Sequence, residues 1–529
     1  MPCSESNPCE RKDADLRYTI PQLMKARAQL FPTRLALSAQ SGAGRDRLTY
    51  RQLAQRMDAM AQELAALGLT RGERIGVFLT NDHGRECILT ALGAFALGAV
   101  VVPFNTRASD DELTHAITLT SPRMIVTDSR SRTRMGQLAP SARLLVVDAD
   151  GAGAGDAPWP EPEQQGSGAE LSYADDPDTL ACLHFTSGTT ARSKAVMHSH
   201  RTMIAAGLCC GSALGLTADD LYQGAFPFFT SSALNIACMS CWVQGAGLIL
   251  EGHLDNERRL RLIETEATSF YHGVPSVLNF MLQEYTKGGY DLRSLRRVAN
   301  GGAAMPIELM RRIGEAWPWV DQVQIYGLTE SGPSGTVLGP ADLERKAGSV
   351  GHAMPYTEIA VVNERGEPLP PGETGEIAIT GPAVAMGYYE NAEATAMAFS
   401  GRRVLTGDVG RLDEDGFLFF GDRKKDVINR GGLKIASVAV ESVLYTHPAV
   451  REAAVVAVPH PNLGEDVAAC VVLVPGQAVD KEVLARHCAA QLADYAVPRR
   501  WLFLEALPKN PMGKVLKTEL RAKMASETV

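Results

Sequence analysis

Short apolar runs alternate with longer amphipathic stretches through the first part of this 529-residue chain, and that alternation strongly restricts the fold. Leu53–Leu67 carries apolar residues at helical spacing, whereas Ile75–Leu79, Met124–Asp128 and Leu144–Asp148 are short and apolar. Strands separated by helical segments imply a largely parallel sheet with helices on its faces. The run Ile88–Phe104 contains Gly and ends in Val100-Val101-Val102-Pro103, and Ala233–Leu250 is similar. A buried helix feeding a buried strand explains both better than a membrane span.

The length suggests three or four structural units. Residues 1–17 are polar and read as disordered. An N-terminal domain is expected over 18–422, as two α/β lobes at about 18–180 and 181–355 followed by a Gly- and Pro-rich β subdomain, a small barrel or twisted sheet, at about 356–422. A smaller α+β domain is expected over 423–529, with Glu441–Leu444 and Val483–Leu492 helical and Ala453–Val458 and Ala468–Val474 extended. Asp148–Tyr173 is rich in Gly, Pro and acids and reads as a surface linker. Its Gly-x-Gly lacks the third Gly at dinucleotide spacing, and Pro158 and Pro160 stand where a helix would begin.

Hydrophobic residues make up 45% of the chain, enough for a large core. Lys plus Arg total 52 against 61 for Asp plus Glu, a net charge of −9. That balance argues against nucleic acid, because phosphate backbones are gripped by clustered Lys and Arg. The ten cysteines are scattered, and Cys238 and Cys241 form a CxxC with no second pair at metal-site spacing. Buried thiols in a reducing cytoplasm are expected, not a disulfide framework. The N-terminus lacks the apolar core of a signal peptide, and the terminal Ser-Glu-Thr-Val is no peroxisomal address. A cytoplasmic protein without a membrane span is the expectation.

Four segments carry chemistry. In His184-Phe185-Thr186-Ser187-Gly188-Thr189-Thr190-Ala191-Arg192-Ser193-Lys194, an apolar approach leads into a hydroxyl- and Gly-rich turn ending in Lys. Unpaired backbone N–H groups, hydroxyls and the Lys charge suit phosphate oxygens. It is not a Walker A loop, because Ser193 replaces the second Gly and Ala195 follows the Lys. In Gln324-Ile325-Tyr326-Gly327-Leu328-Thr329-Glu330, a strand ends by presenting a hydroxyl and a carboxylate. Thr329 suits a phosphate oxygen and Glu330 suits Mg²⁺. Thr406-Gly407-Asp408, Gly421-Asp422-Arg423-Lys424-Lys425 and Arg430-Gly431-Gly432 offer Asp408 and Arg423 to a ribose and a hinge between compact units. Finally, Pro508-Lys509-Asn510-Pro511-Met512-Gly513-Lys514 places a Lys after Pro and Gly turns. Taken singly, these also read as a polar turn, a strand end, a solvated charged loop and an exposed Lys.

In this order the four segments resemble the adenylate-forming superfamily of acyl-CoA synthetases, peptide-synthetase adenylation domains and luciferases, from about residue 20 to 522. Gly98-Ala99-Val100-Val101-Val102-Pro103, Gly301-Gly302-Ala303-Ala304, Gly348-Ser349-Val350-Gly351 and Gly464-Glu465 add to the likeness. The resemblance implies that ATP and Mg²⁺ join a carboxylic acid to AMP and that the acyl group then passes to a thiol. It implies a phosphate loop at Thr186, Ser187, Gly188, Thr189, Thr190 and Lys194, an α-phosphate contact at Thr329 and a Mg²⁺ ligand at Glu330. Gly302, Ala303, Ala304, Gln324, Ile325, Tyr326 and Gly327 would wall the adenine, while Asp408 and Arg423 would hold the ribose. Lys514 would be the catalytic Lys, Lys425 the hinge, and Gly431 and Gly432 the lining of a pantetheine tunnel.

The chain departs from the family pattern at Ala191, Ser193 and Ala195 in the phosphate loop, at Thr230 where the family has a gating His, and at Ser437 and Ala439 after the Gly-Gly turn. The expected acceptor is coenzyme A, with an acyl-AMP ligase that loads a separate carrier protein as the alternative. A non-catalytic nucleotide-binding relative is the reading from another class, and Lys514, Glu330, Asp408 and Arg423 argue against it. The acyl pocket is expected around Phe228, Phe229, Thr230, Tyr271, Gly273, Val274 and Gly301. No Asp stands there to pair an ammonium group, so a hydrophobic acid is expected.

Overall fold

In the computed structural model, the described residues are 16–41, 44–148, 156–162, 174–186, 193–303, 305–423, 426–509 and 515–526. They form two compact units, Met1–Ile359 with Ile379–Val404, and Ala360–Ala378 with Leu405–Val529.

The first unit contains two large sheets. Its strands are Leu35–Ser41 (β1), Gly44–Thr49 (β2), Arg74–Phe78 (β3), Val100–Pro103 (β4), Met124–Thr127 (β5), Arg143–Val146 (β6), Ala157–Pro158 (β7), Leu180–Thr186 (β8), Lys194–Ser199 (β9), Leu221–Gly224 (β10), Gly247–Leu250 (β11), Phe270–Gly273 (β12), Arg297–Asn300 (β13), Asp321–Tyr326 (β14), Thr336–Leu338 (β15) and His352–Ala353 (β16). One sheet runs β7-β6-β5-β3-β4-β8-β9 and the other β16-β15-β14-β13-β12-β10-β11-β1-β2. Strands β10 to β14 are mutually parallel with β11 and β12 flanking β10, while β8 and β9 form an antiparallel pair.

The long apolar run resolves as the sequence predicts. Gly84–Leu97 is a helix buried over most of its surface, Gly98 ends it at φ 77°, and the fully buried β4 follows. Gly supplies the left-handed C-cap at no steric cost. The second run becomes a π-helical turn, Ser232–Cys238, then the helix Met239–Gln244 and β11. No helix among the described residues is long and apolar enough to cross a membrane.

Residues 358–423 contribute a five-stranded sheet, Glu358–Val362 (β17), Thr374–Thr380 (β18), Phe399–Ser400 (β19), Arg403–Leu412 (β20) and Leu418–Arg423 (β21). The rest of the second unit follows with Ile428–Arg430 (β22), Leu433–Ile435 (β23), Val450–His460 (β24), Gly464–Leu473 (β25) and Arg500–Phe503 (β26). β24 and β25 pair along almost their full lengths. Their residues alternate between two cores, Ala453 and Val455 facing Val440, Leu444 and Leu484, and Ala454, Val456 and Val458 facing Leu520 and Met524. A sheet covered by helices on both faces needs continuous apolar strands, and Ala-Ala-Val-Val-Ala-Val supplies one.

Gly351 shows how tightly the β14–β16 end is built. Its φ is 98°, and a Cβ there would stand on the Val337 carbonyl. Gly351→Ala should therefore combine left-handed strain of about 1–2 kcal/mol with a backbone clash. The expected loss of stability is about 3 kcal/mol or more, read as a lower urea midpoint at unchanged slope.

Candidate active site

Because β10, β12, β13 and β14 are adjacent and parallel, their C-terminal ends meet along one edge, the position where open α/β sheets bind ligands. The segments leaving that edge are Phe226–Thr230, Val274, Gly301–Ala303 and Gly327–Glu330. Residues dispersed over a hundred positions are thus brought together. Gly302, at φ 77°, lies 3.9 Å from Val274 Cγ1 when given a Cβ, and a Cβ on Gly301 would meet Ile325 Cγ1 at 2.9 Å. Gly327 is required by its own backbone, because a Cβ there would run into the Pro333 carbonyl. Phe228 is buried in the main core, and Thr230 turns its hydroxyl back to the Pro227 carbonyl at 2.8 Å. Tyr271 is fully buried among Leu260, Ile263 and Leu278, in the core beside the helices Asn256–Glu266 and Pro275–Tyr285. Ala304 lies outside the described residues.

The β8–β9 hairpin brings Thr186 and Lys194 into register, so the loop between them starts and ends at one place. Ser187, Gly188, Thr189 and Thr190 lie outside the described residues. His198, on β9, contacts the Thr329 carbonyl through Nε2 at 2.9 Å. A carbonyl only accepts, so the imidazole carries its proton on Nε2, and Nδ1 faces Thr202 Oγ1 at 3.2 Å. Thr329 Oγ1 shares a 2.9 Å hydrogen bond with Ser231 Oγ. Tyr388 Oη donates to Glu330 Oε1 at 3.0 Å, and Lys194 Nζ lies 4.6 Å from the Tyr388 ring centroid. His198, Ser231 and Tyr388 went unnoticed in the sequence. Only the fold brings Tyr388 to Glu330, across 58 positions.

Four buried imidazoles of the first unit are held neutral. Burial lowers the pKa of His184 to about 3, helped by nearby His198, and burial lowers His198 to about 4, His200 to about 4 and His272 to about 3. His184 Nε2 faces Asn235 Oδ1 at 3.3 Å, and His272 Nδ1 pairs with Tyr222 Oη at 2.7 Å.

In the second unit, Asp408 and Arg423 are register partners on β20 and β21 and form a 2.8 Å ion pair. Asp408 is buried and Arg423 part-exposed. Gly407, at φ 70°, precedes Asp408 and bonds Glu376 Oε1 through its N–H at 3.1 Å. Asp422 Oδ2 accepts from the Ser437 N–H at 2.6 Å and hydroxyl at 2.5 Å, capping the helix Ser437–Tyr445. Gly431 and Gly432 form the two-residue turn between β22 and β23, with φ 60° and 92°. Two positive φ values in a two-residue hairpin loop favour Gly-Gly for the turn alone. Lys425 and Lys514 lie outside the described residues.

Comparison with known proteins agrees with this architecture. Residues 24–389 match the AMP-binding enzyme family, and residues 439–514 match the AMP-binding enzyme C-terminal domain. A long-chain-fatty-acid–CoA ligase of Mycobacterium tuberculosis is 33% identical over 90% of this chain and 93% of its own length. A feruloyl-CoA synthase of an Amycolatopsis species is likewise 33% identical, covering 90% and 93%. The o-succinylbenzoate CoA synthetase of Bacillus subtilis, solved with its acyl-adenylate intermediate, superposes with a TM-score of 0.84 at 28% identity over 95% of this chain and 98% of that one. The same enzyme has been solved with ATP and a magnesium ion. The chain belongs to the AMP-binding enzyme family, in its acyl-CoA synthetase branch.

The buried imidazoles set a pH dependence. An unfolded His titrates near 6.5, whereas these four stay neutral until much lower pH. Between about pH 6.5 and 4 the unfolded chain binds more protons, so stability falls as pH falls, by up to ~1.4 kcal/mol per pH unit for each His. Urea melts at about pH 7 and about pH 5 should show this loss, and it should shrink in His272→Gln.

Proposed function

We propose that the acid adenylated by this synthetase is hydrophobic, and that the residues gathered at the strand edge and on β20–β21 carry the reaction. The reaction has two halves. A carboxylate oxygen attacks the α-phosphorus of ATP and pyrophosphate leaves. The coenzyme A sulfur, having lost its proton, then attacks the acyl carbonyl and AMP leaves. The observation that carries the reading is the pairing of His198 with the Thr329 carbonyl and of Tyr388 with both Glu330 and Lys194, which joins the end of β14 to the base of the β8–β9 hairpin.

Thr329 Oγ1, oriented by Ser231, is assigned to the α-phosphate, and Lys194 with the Thr186–Thr190 loop to the outer phosphates. Glu330 presents a carboxylate beside the Tyr388 hydroxyl, an oxygen set that fits Mg²⁺ arriving with nucleotide phosphates. When bound, Mg²⁺ supplies neutralisation of the charge that builds on the phosphates. Asp408 is assigned to the ribose hydroxyls with Arg423 beside it. Lys514 is assigned to the carboxylate and α-phosphate, Lys425 to the hinge, and Gly431 and Gly432 to the pantetheine path. Coenzyme A is the preferred acceptor over a carrier protein, following the CoA ligases the chain resembles.

The hydrophobic acid is supported by Phe228 and Phe229, both buried, and by Thr230, whose hydroxyl is spent on the backbone. The ionisable group facing Asn235 is neutral His184, which offers no charge to an ammonium group. Each buried CH₂ of the acid gains ~0.8 kcal/mol. Measured kcat/KM at saturating ATP should therefore rank medium-to-long aliphatic or aromatic acids above acetate and above amino acids, and an amino acid in first place would overturn this reading.

Lys514→Ala tests the division of labour. Loss of a charge contact made mainly in the transition state should slow adenylation by about 10²–10³-fold. Thioester formation from a pre-made acyl adenylate should be largely spared, and equal losses in both steps would remove Lys514 from the assigned role.

A further inference from the structure

Two charged side chains of the proposed site meet on one aromatic ring. Tyr388 Oη donates to Glu330 Oε1 at 3.0 Å, while Lys194 Nζ stands 4.6 Å from the ring centroid. The ring is locked in place. Tyr388 N–H donates to Thr395 Oγ1 at 2.9 Å, and its ring meets Phe399 edge-on at 5.3 Å. The neighbouring backbone runs along β9, with Met197 N–H on the Gly387 carbonyl at 2.9 Å and Tyr389 N–H on the Ala195 carbonyl at 2.8 Å. The Glu330 carbonyl is held as well, by the Ala385 N–H at 2.9 Å.

An ammonium and a carboxylate this close to a common ring attract each other, and a direct ion pair would use up both charges. The ring offers each a different partner, its π face for the cation and its hydroxyl for the carboxylate. We propose that Tyr388 is a positioning residue that keeps Glu330 and Lys194 apart, Glu330 available to a divalent cation and Lys194 to phosphate. A phenol is protonated at working pH, so the hydroxyl is a donor to the carboxylate. Tyr388 acts through these two side chains and touches no reacting atom. The inference rests on the adenylating reading given above.

The experiment is equilibrium dialysis of labelled ATP with the full-length protein and no acid, in EDTA and at graded Mg²⁺. Tyr388→Phe keeps the ring face and removes the hydroxyl. Its metal-free ATP affinity should match wild type, while the Mg²⁺ needed for tight binding rises about 10–100-fold, as for partners that orient a metal ligand. Tyr388→Leu removes both contacts and should weaken metal-free ATP binding as well. Should Tyr388→Leu fail to fold, Glu330→Gln replaces it: in that background Tyr388→Phe should cause no further change in Mg²⁺ requirement. An unchanged Mg²⁺ requirement in Tyr388→Phe, equal losses with and without metal, or an undiminished effect in the Glu330→Gln background would each overturn the inference. Failure of the wild-type protein to bind ATP would instead sink the adenylating reading.

Discussion

The hydrogen bond between His198 and the Thr329 carbonyl joins the two large sheets at the place where they carry different parts of the proposed site. His198 belongs to β9, the return strand of the β8–β9 hairpin, and Thr329 follows β14. A backbone carbonyl at the start of a short turn is exposed to competition from water unless it is buried with a partner. Here the partner is itself fully buried and uncharged, so the bond is formed without burying a charge. The turn Thr329–Ser331 then has a fixed origin, and the directions of the Thr329 hydroxyl and Glu330 carboxylate follow from it.

Close backbone approach fixes the same region from the other side. Gly327 against Pro333 and Gly332 against the Ala383 carbonyl leave no space for a side chain. The backbone itself therefore requires glycine at both positions. The strand edge can present small residues to a ligand because its own backbone segments are packed against one another.

The α/β class, the helix-to-strand runs and the strands β24 and β25 were legible because their signals are local: period, length and the identity of terminating residues. The four chemical segments were legible because hydroxyl, Gly and charged residues fall at close spacing within each. Tyr388, Ser231 and His198 were not, since each acts on a residue about 58, 98 or 131 positions away. A single sequence holds no record of such pairs before the chain is folded. Thr230 shows the opposite difficulty. Its place in the aromatic segment pointed to a pocket, but the direction of its hydroxyl, back onto Pro227, depends on a turn that only the coordinates reveal. Likewise, Gly431 and Gly432 read as a ligand-facing pair, although the β22–β23 turn already demands glycine at both positions.

The eight described cysteines are buried and none is in a disulfide. Burial raises the pKa of Cys209 to about 12 and of Cys488 to about 11, and also pushes Cys182, Cys238 and Cys241 well up. Nucleophilic sulfur is thiolate, and a thiol held protonated and out of reach reacts slowly. A synthetase generates an acyl adenylate that any accessible thiolate would consume. With these side chains sealed in the core, the incoming thiol has no competitor among the described cysteines.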